Sequence, residues 1–144
     1  MEYLHNKKAT HDFTFVETIE AGIELWGTEV KSVKAHHGSL TGAYVTIFGG
    51  ELVLLGAHIP AWQEKNAPLG FDPYRTRHLL VHKKELLEFA KILKTKGLTI
   101  IPVSLYSKDR HIKVQLAVAK GKKDFDKRET IKKRDLDREA RRGE

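Results

Sequence analysis

Apolar and polar residues alternate over much of the chain, the period of two expected of half-buried strands. In residues 11–19 Phe13 and Phe15 fall on one face, predicting a strand that resumes over residues 23–26 beyond Gly22. The interruption Glu20-Ala21-Gly22 reads as a bulge or kink, because glycine inside a strand pattern often marks one. Tyr44-Val45-Thr46-Ile47-Phe48 and Glu51-Leu52-Val53-Leu54-Leu55 flank Gly49-Gly50, two residues free to take the positive φ of a type I′ turn, and predict a hairpin. Residues 98–106 and 111–119 form a second hairpin, with Ile112, Val114, Leu116 and Val118 on one face and Lys113 and Gln115 on the other. Pro102 has no amide hydrogen, so its strand lies at an edge or is bulged there. Between the strands, Val30 and Val33 predict a short helix over residues 28–35. Leu86, Phe89, Ala90 and Leu93 predict a longer one over 83–96, stopped by Gly97. Residues 60–76, with four Gly or Pro positions, read as a long surface loop. Short strands, hairpins and an interposed helix give the predicted fold: mainly β with flanking α-helices, an OB-like, partly open Greek-key barrel.

Composition confines that barrel to one domain. The chain has 144 residues, 40% hydrophobic and 31% charged, enough apolar surface for one core. Its formal charge is +7, unevenly spread: residues 1–119 hold 15 basic and 12 acidic groups, residues 120–144 hold 11 and 7. Beyond Ala119 the large apolar side chains are Phe125, Ile131 and Leu136. We therefore expect a barrel over residues 1–119 and a basic tail over 120–144, unstructured when free. The basic excess points to a polyanion, with nucleic acid ahead of membrane. The chain has no cysteine, which excludes disulfides, thiolate metal sites and a cysteine nucleophile. No apolar run approaches the ~20 residues of a membrane helix and no signal-peptide core opens the chain, so a cytoplasmic protein is expected.

Eight histidines raise the question of catalysis or metal binding. His78 and His82 flank a strand-like Leu79-Leu80-Val81, which separates them by about 13 Å. His36-His37 has no carboxylate at ligand spacing, and neither a zinc-protease, nucleophile-elbow, P-loop nor dinucleotide motif occurs. The expectation is a protein without catalytic residues, metal or cofactor. Lys7-Lys8 and Arg75-Thr76-Arg77-His78 offer phosphate contacts that position RNA without reading sequence. In the tail, Phe125 sits among Lys120, Lys122, Lys123, Lys127 and Arg128, suited either to stacking on an unpaired base or to packing on the barrel rim.

Six spaced motifs resemble the SsrA-binding (SmpB) family: Asn6-Lys7-Lys8-Ala9 with His11-Asp12-Phe13; Glu20-Ala21-Gly22-Ile23; Gly27-Thr28-Glu29-Val30-Lys31-Ser32; Asp72-Pro73-Tyr74-Arg75-Thr76-Arg77 with Leu79-Leu80; Gly97-Leu98-Thr99; and Gly121-Lys122-Lys123 before Asp126-Lys127-Arg128. The resemblance runs colinearly from about Asn6 to Arg134. It implies binding to the tRNA-like domain of transfer-messenger RNA (tmRNA) in trans-translation, the rescue of ribosomes stalled on messages lacking a stop codon. The protein would fill the volume of the anticodon arm that tmRNA lacks.

The tmRNA-binding residues implied are Asn6, Lys7, His11, Phe13, Glu20, Lys31, Arg75, Arg77 and Leu80. Asn6 would bond base edges or 2′-hydroxyls. Glu20 would accept from base amino groups or 2′-hydroxyls, or else fix the strand kink through the backbone. Leu80 would supply apolar contact or core. Lys122, Lys123, Phe125, Asp126, Lys127 and Arg128 match the segment facing the decoding centre and mRNA channel. The implied partners are tmRNA, small-subunit ribosomal RNA and, indirectly through aminoacylated tmRNA, elongation factor Tu, with no membrane, for a monomer. Three features depart from the family: His78 where lysine is common, Phe125 where tyrosine or histidine is frequent, and Arg141-Arg142-Gly143 where many members carry apolar residues. Either the chain continues beyond Glu144 or charge alone holds the channel. A generic RNA-binding OB module and a histidine-based nuclease are the competing readings.

Overall fold

The computed structural model describes residues 1–63, 65 and 67–121. In chain order they form β1 (Glu2–His5), α1 (Lys7–Asp12), β2 (Phe13–Ile23), α2 (Gly27–Lys34), β3 (Tyr44–Phe48), β4 (Glu51–Leu55), β5 (Arg77–Leu80), α3 (Lys83–Lys94), β6 (Leu98–Lys108) and β7 (His111–Gly121). The strands make one antiparallel sheet in the order β1-β6-β7-β2-β5-β4-β3. Edge strand β3 curls back against β6, yet no ladder joins them, so the barrel stays open. The mainly β, partly open architecture expected from periodicity is the one that forms.

Strand alternation divides the core. Val114, Leu116 and Val118 of β7 join Ile100 and Leu105 of β6, Leu52 and Leu54 of β4 and Phe89 of α3 in the main cluster. The intervening Ala117 and Ala119 face the other way, packing with Ala9, Ile101 and Val103 beneath α1 and the half-buried Phe13 and Phe15. Phe89 is wholly buried because α3 presents that side to the sheet. The 44–55 hairpin forms as expected, with φ of 61° at Gly49 and 79° at Gly50.

Several expectations need correction. Residues 11 and 12 belong to the last turn of α1, not to a strand. This short helix carries one buried residue, Ala9, too little apolar periodicity to read, and is started by Asn6, whose Oδ1 accepts from the Ala9 amide at 3.1 Å. β2 runs unbroken through residues 20–22 and its bulge lies between Phe15 and Glu17. Gly22 answers to packing instead: a Cβ there would stand 3.2 Å from the Leu80 Cβ. The strand does not resume over 23–26; Trp26 is the N-cap of α2. The bulge expected at Pro102, by contrast, is present: the β6–β7 register shifts between Pro102 and Ser104, and the β1 ladder reaches only to Ser104. β7 continues to Gly121, two residues past the expected boundary at 119.

Candidate nucleic-acid interface

At one end of the β2–β7 ladder, Gly22 pairs with both Leu80 and Lys113. Two adjoining hollows of about 410 and 360 Å³ share these three residues. Leu25, Val30, Lys34, Arg110 and His111 are among the other residues lining the first, Glu20, His82 and Glu85 among those lining the second. Leu80 is 55% exposed, so of its two expected roles, apolar contact and core, exposure favours the first. Glu20 does not clamp a kink through the backbone: Tyr106 Oη donates to its carboxylate at 2.5 Å and Lys108 Nζ lies 3.4 Å away. The Tyr106 hydrogen bond and then Lys108 hold the Glu20 carboxyl below its ordinary value, despite partial desolvation. The Tyr106 hydroxyl is pushed up by burial and by that carboxylate. An ionised acceptor thus sits amid cations beside an exposed aliphatic side chain.

The cations here had a readable signal in part. Lys113 alternates away from the buried Ile112–Val114 face, but only its register with Gly22 brings it to Leu80. Arg110 is held at the β6–β7 turn with φ of 68°, and its neighbour Asp109 has φ of 50°. An arginine in this left-handed region is strained by its own Cβ.

At the other end of the ladder stand Lys7, His11 and Phe13, with Phe13 paired to Gly121, the residue that leads into the tail. Nine steps at ~3.4 Å place this end about 30 Å from Gly22 along β2. Of the expected tmRNA residues, Glu20 and Leu80 thus stand at one end of β2 and Lys7, His11 and Phe13 at the other. His11 is exposed and its Nδ1 lies 3.3 Å from Asp12. Asn6 is a correction: it is 2% exposed and fully engaged, its Nδ2 donating to the carbonyls of Pro102 at 2.9 Å and Leu40 at 3.2 Å while its Oδ1 caps α1. It ties α1 to the β6 bulge, and its side chain is committed to those buried contacts. Asn6→Ala should lower stability by about 1–3 kcal/mol, by losing a cap and the buried bonds to the Pro102 and Leu40 carbonyls. Chemical denaturation checks this.

Arg75 and Arg77 also need correction. Neither guanidinium is a free phosphate ligand, because both converge on Glu29 of α2. Arg77 is wholly buried; its Nε and Nη2 donate to Glu29 at 3.1 and 2.6 Å, and its other bonds go to the carbonyls of Ala57, Ile59, Pro73 and Arg75. Arg75 donates to the same carboxylate at 2.9 and 2.5 Å and lies over Trp26, 4.4 Å from the ring centroid. Glu29 also accepts from the Trp26 amide at 2.8 Å, closing the first turn of α2. Burial opposes ionisation of Glu29, but Arg75, the Trp26 amide and Arg77 outweigh it and keep its carboxyl low. Burial likewise lowers Arg77, countered by Glu29. Two of the motifs that carry the family resemblance thus meet in a buried ion cluster, which spacing alone could not show. Lys31 remains exposed on α2.

His78 pairs with Glu51 at 2.9 Å. Among the described residues, no three His, Asp or Glu side chains converge as metal ligands. The tail residues Lys122, Lys123, Phe125, Asp126, Lys127 and Arg128 lie outside the described residues. No helix among the described residues is long and apolar enough to cross a membrane.

Residues 3–143 match the family described as SmpB protein. An SsrA-binding protein of Lactobacillus delbrueckii subsp. bulgaricus is 50% identical over 137 residues, 95% of this chain and 89% of that protein. One from Caldicellulosiruptor saccharolyticus is 50% identical over 136 residues, covering 94% and 85%. Among solved structures, a chain from "tmRNA-SmpB: a journey to the center of the bacterial ribosome" superposes with a TM-score of 0.70 at 41% identity, covering 85% of each chain.

Proposed function

Because the chain belongs to the SmpB family, we propose that it binds the tRNA-like domain of tmRNA and delivers it to stalled ribosomes. It acts as an RNA-binding adaptor without chemistry of its own, in the cytoplasm where ribosomes work. The observation that carries this reading is the Leu80–Gly22–Lys113 end of the sheet, with Glu20 beside it. An exposed leucine gives apolar contact to a sugar or base face, while Lys113, Arg110 and Lys34 meet phosphates, and the Glu20 carboxylate accepts from amino groups or 2′-hydroxyls. Phosphate contact alone would hold any RNA, so the acceptor and the apolar contact supply the preference. The opposite end, where β7 leaves Phe13 at Gly121, puts the root of the tail about 30 Å away, so one small protein addresses two RNA surfaces at once.

Binding of the tRNA-like domain of tmRNA and of an elongator tRNA at the same salt tests the reading: tmRNA should bind at least about tenfold tighter. Equal affinity would leave only a general RNA-binding module. Arg110 gives a sharper check, because its strained backbone separates function from stability. Arg110→Gly should raise stability by about 1 kcal/mol, by relieving the left-handed conformation. The same change should weaken tmRNA binding and reduce the slope of log K against log salt by about 0.7–0.9, one phosphate contact. Thermal melts and a salt titration read the two effects independently.

A further inference from the structure

The loop over residues 60–76 and the start of α2 carry a cluster of exposed rings that the Leu80 end of the sheet does not use. Trp26 is 45% exposed and Trp62 40% exposed. Trp26 has the Phe71 ring 5.6 Å away and the Arg75 guanidinium 4.4 Å over its own ring. Trp62 is stacked with His37 at 5.8 Å, the planes 24° apart. We infer that the Trp26–Arg75–Phe71 platform, flanked by Trp62, is a stacking surface for unpaired nucleobases of the bound RNA, extending the interface across α2. The inference rests on the RNA-binding reading above and adds to it a second, chemically different contact.

Three features favour nucleobases over another occupant. The first is rigidity. Arg75 is fixed by Glu29, Arg77 holds the carbonyls of Ile59 and Pro73 at the two ends of the loop, and the Trp62 amide donates to Thr28 Oγ1 at 2.7 Å. Large rings that already stand in place lose little freedom when a base lands on them. The second is the arginine plane. The Arg75 guanidinium, fixed by Glu29, lies over the Trp26 ring, while Glu29 and Asp72 together balance the charges of Arg75 and Arg77. Flat rings and guanidinium planes are the groups on which unpaired bases stack. The third is continuity. Leu25, directly before Trp26, lines the Leu80 hollow together with Val30, one turn further along α2. An RNA lying in that hollow therefore reaches Trp26 without leaving the protein surface.

The chain's two tryptophans are both in this cluster, so their emission reports on it. A Trp62→Phe variant, in which Trp26 is the sole tryptophan, would be titrated with a transcript of the tRNA-like domain of tmRNA. Binding would be followed separately by anisotropy of end-labelled RNA. Trp26 emission should be quenched in step with the anisotropy. Trp26→Ala should weaken binding about tenfold with an unchanged salt slope, since stacking displaces no counterions, and Trp26→Phe should restore most of the loss. A Phe71→Ala variant repeats the test without disturbing the helix cap. RNA that binds without quenching Trp26, and with full affinity for Trp26→Ala and Phe71→Ala, would overturn the platform while leaving the Leu80 interface intact. Failure of the unaltered protein to bind the transcript would overturn both readings. Quenching that follows protein concentration without RNA would assign the surface to a second copy of the chain and overturn the inference.

Discussion

Arg77→Ala should lower the stability of the protein by about 3–5 kcal/mol, enough to move its melting temperature by about 10 °C or more. The side chain is wholly buried and its five N–H groups make six hydrogen-bond contacts, one shared at Nη2: two to Glu29 and four to the carbonyls of Ala57, Arg75, Ile59 and Pro73. Alanine strands a buried carboxylate beside a single remaining arginine and takes a donor from each of those carbonyls, of which Pro73 keeps the Ile59 amide. The pH dependence gives an independent handle on the same cluster. Arg75, the Trp26 amide and Arg77 outweigh burial and keep the Glu29 carboxyl below its ordinary value near 4.5. A depressed carboxyl contributes stability that is fully present above about pH 4.5 and is lost as pH falls through the lower value of the folded state. Melting temperatures measured from pH 7 down to pH 3 should therefore fall most steeply below 4.5. In Glu29→Gln, which is less stable at neutral pH, the fall over that window should be shallower. If Arg77→Ala melts with the unaltered protein, the cluster is not what pins residues 57–77 to α2.

The same residues show where sequence reading reached its limit. Alternation located the 44–55 and 98–121 hairpins and the long helix because each buries a regular apolar face, which periodicity reports directly. Charge reports no burial. Arg75-Thr76-Arg77 looks like a phosphate-binding cluster until Glu29, 46 and 48 residues earlier in the chain, is found to take both guanidiniums. Asn6 likewise looks like an exposed polar residue near lysines, yet it spans a helix start and a strand bulge that only tertiary pairing creates. Gly22 was read as a backbone device when its service is to let Leu80 lie close. Conversely, the residues that end up at the open surface, Leu80 and Trp26, are apolar, and periodicity assigns such residues to strands or core. What selects them for contact is the register of β2 with β5 and β7 and the position of the α2 cap, both set by long-range pairing.

Deleting residues 122–144 should separate RNA binding from ribosome rescue. β7 completes its ladder at Gly121 against Phe13, and among the described residues every member of the main core precedes it. The truncated chain should thus melt within a few degrees of the full one. Its Leu80 end, some 30 Å from the cut along β2, should bind tmRNA within a few-fold of full length. The removed segment has a different composition, with three large apolar side chains, Phe125, Ile131 and Leu136, among many charges. Helix-spaced pairs such as Glu129–Lys133 and Asp137–Arg141 are worth about 0.2–0.5 kcal/mol each and are offset by Arg134–Arg138 and Arg138–Arg142. Order in such a segment is expected to come from a polyanionic channel that neutralises its cations, with Phe125 available to a base. Peptide tagging on ribosomes stalled at a message's end should be abolished by the deletion, and replacing Asp126, Lys127 and Arg128 with alanine should reproduce most of the loss. Binding and tagging measured on the same truncated protein decide between the possibilities. If tagging survives, the segment is dispensable to rescue. If tmRNA binding collapses with it, the Lys7–His11–Phe13 end and the tail root form part of the tmRNA site, and the two ends of the sheet do not divide the work.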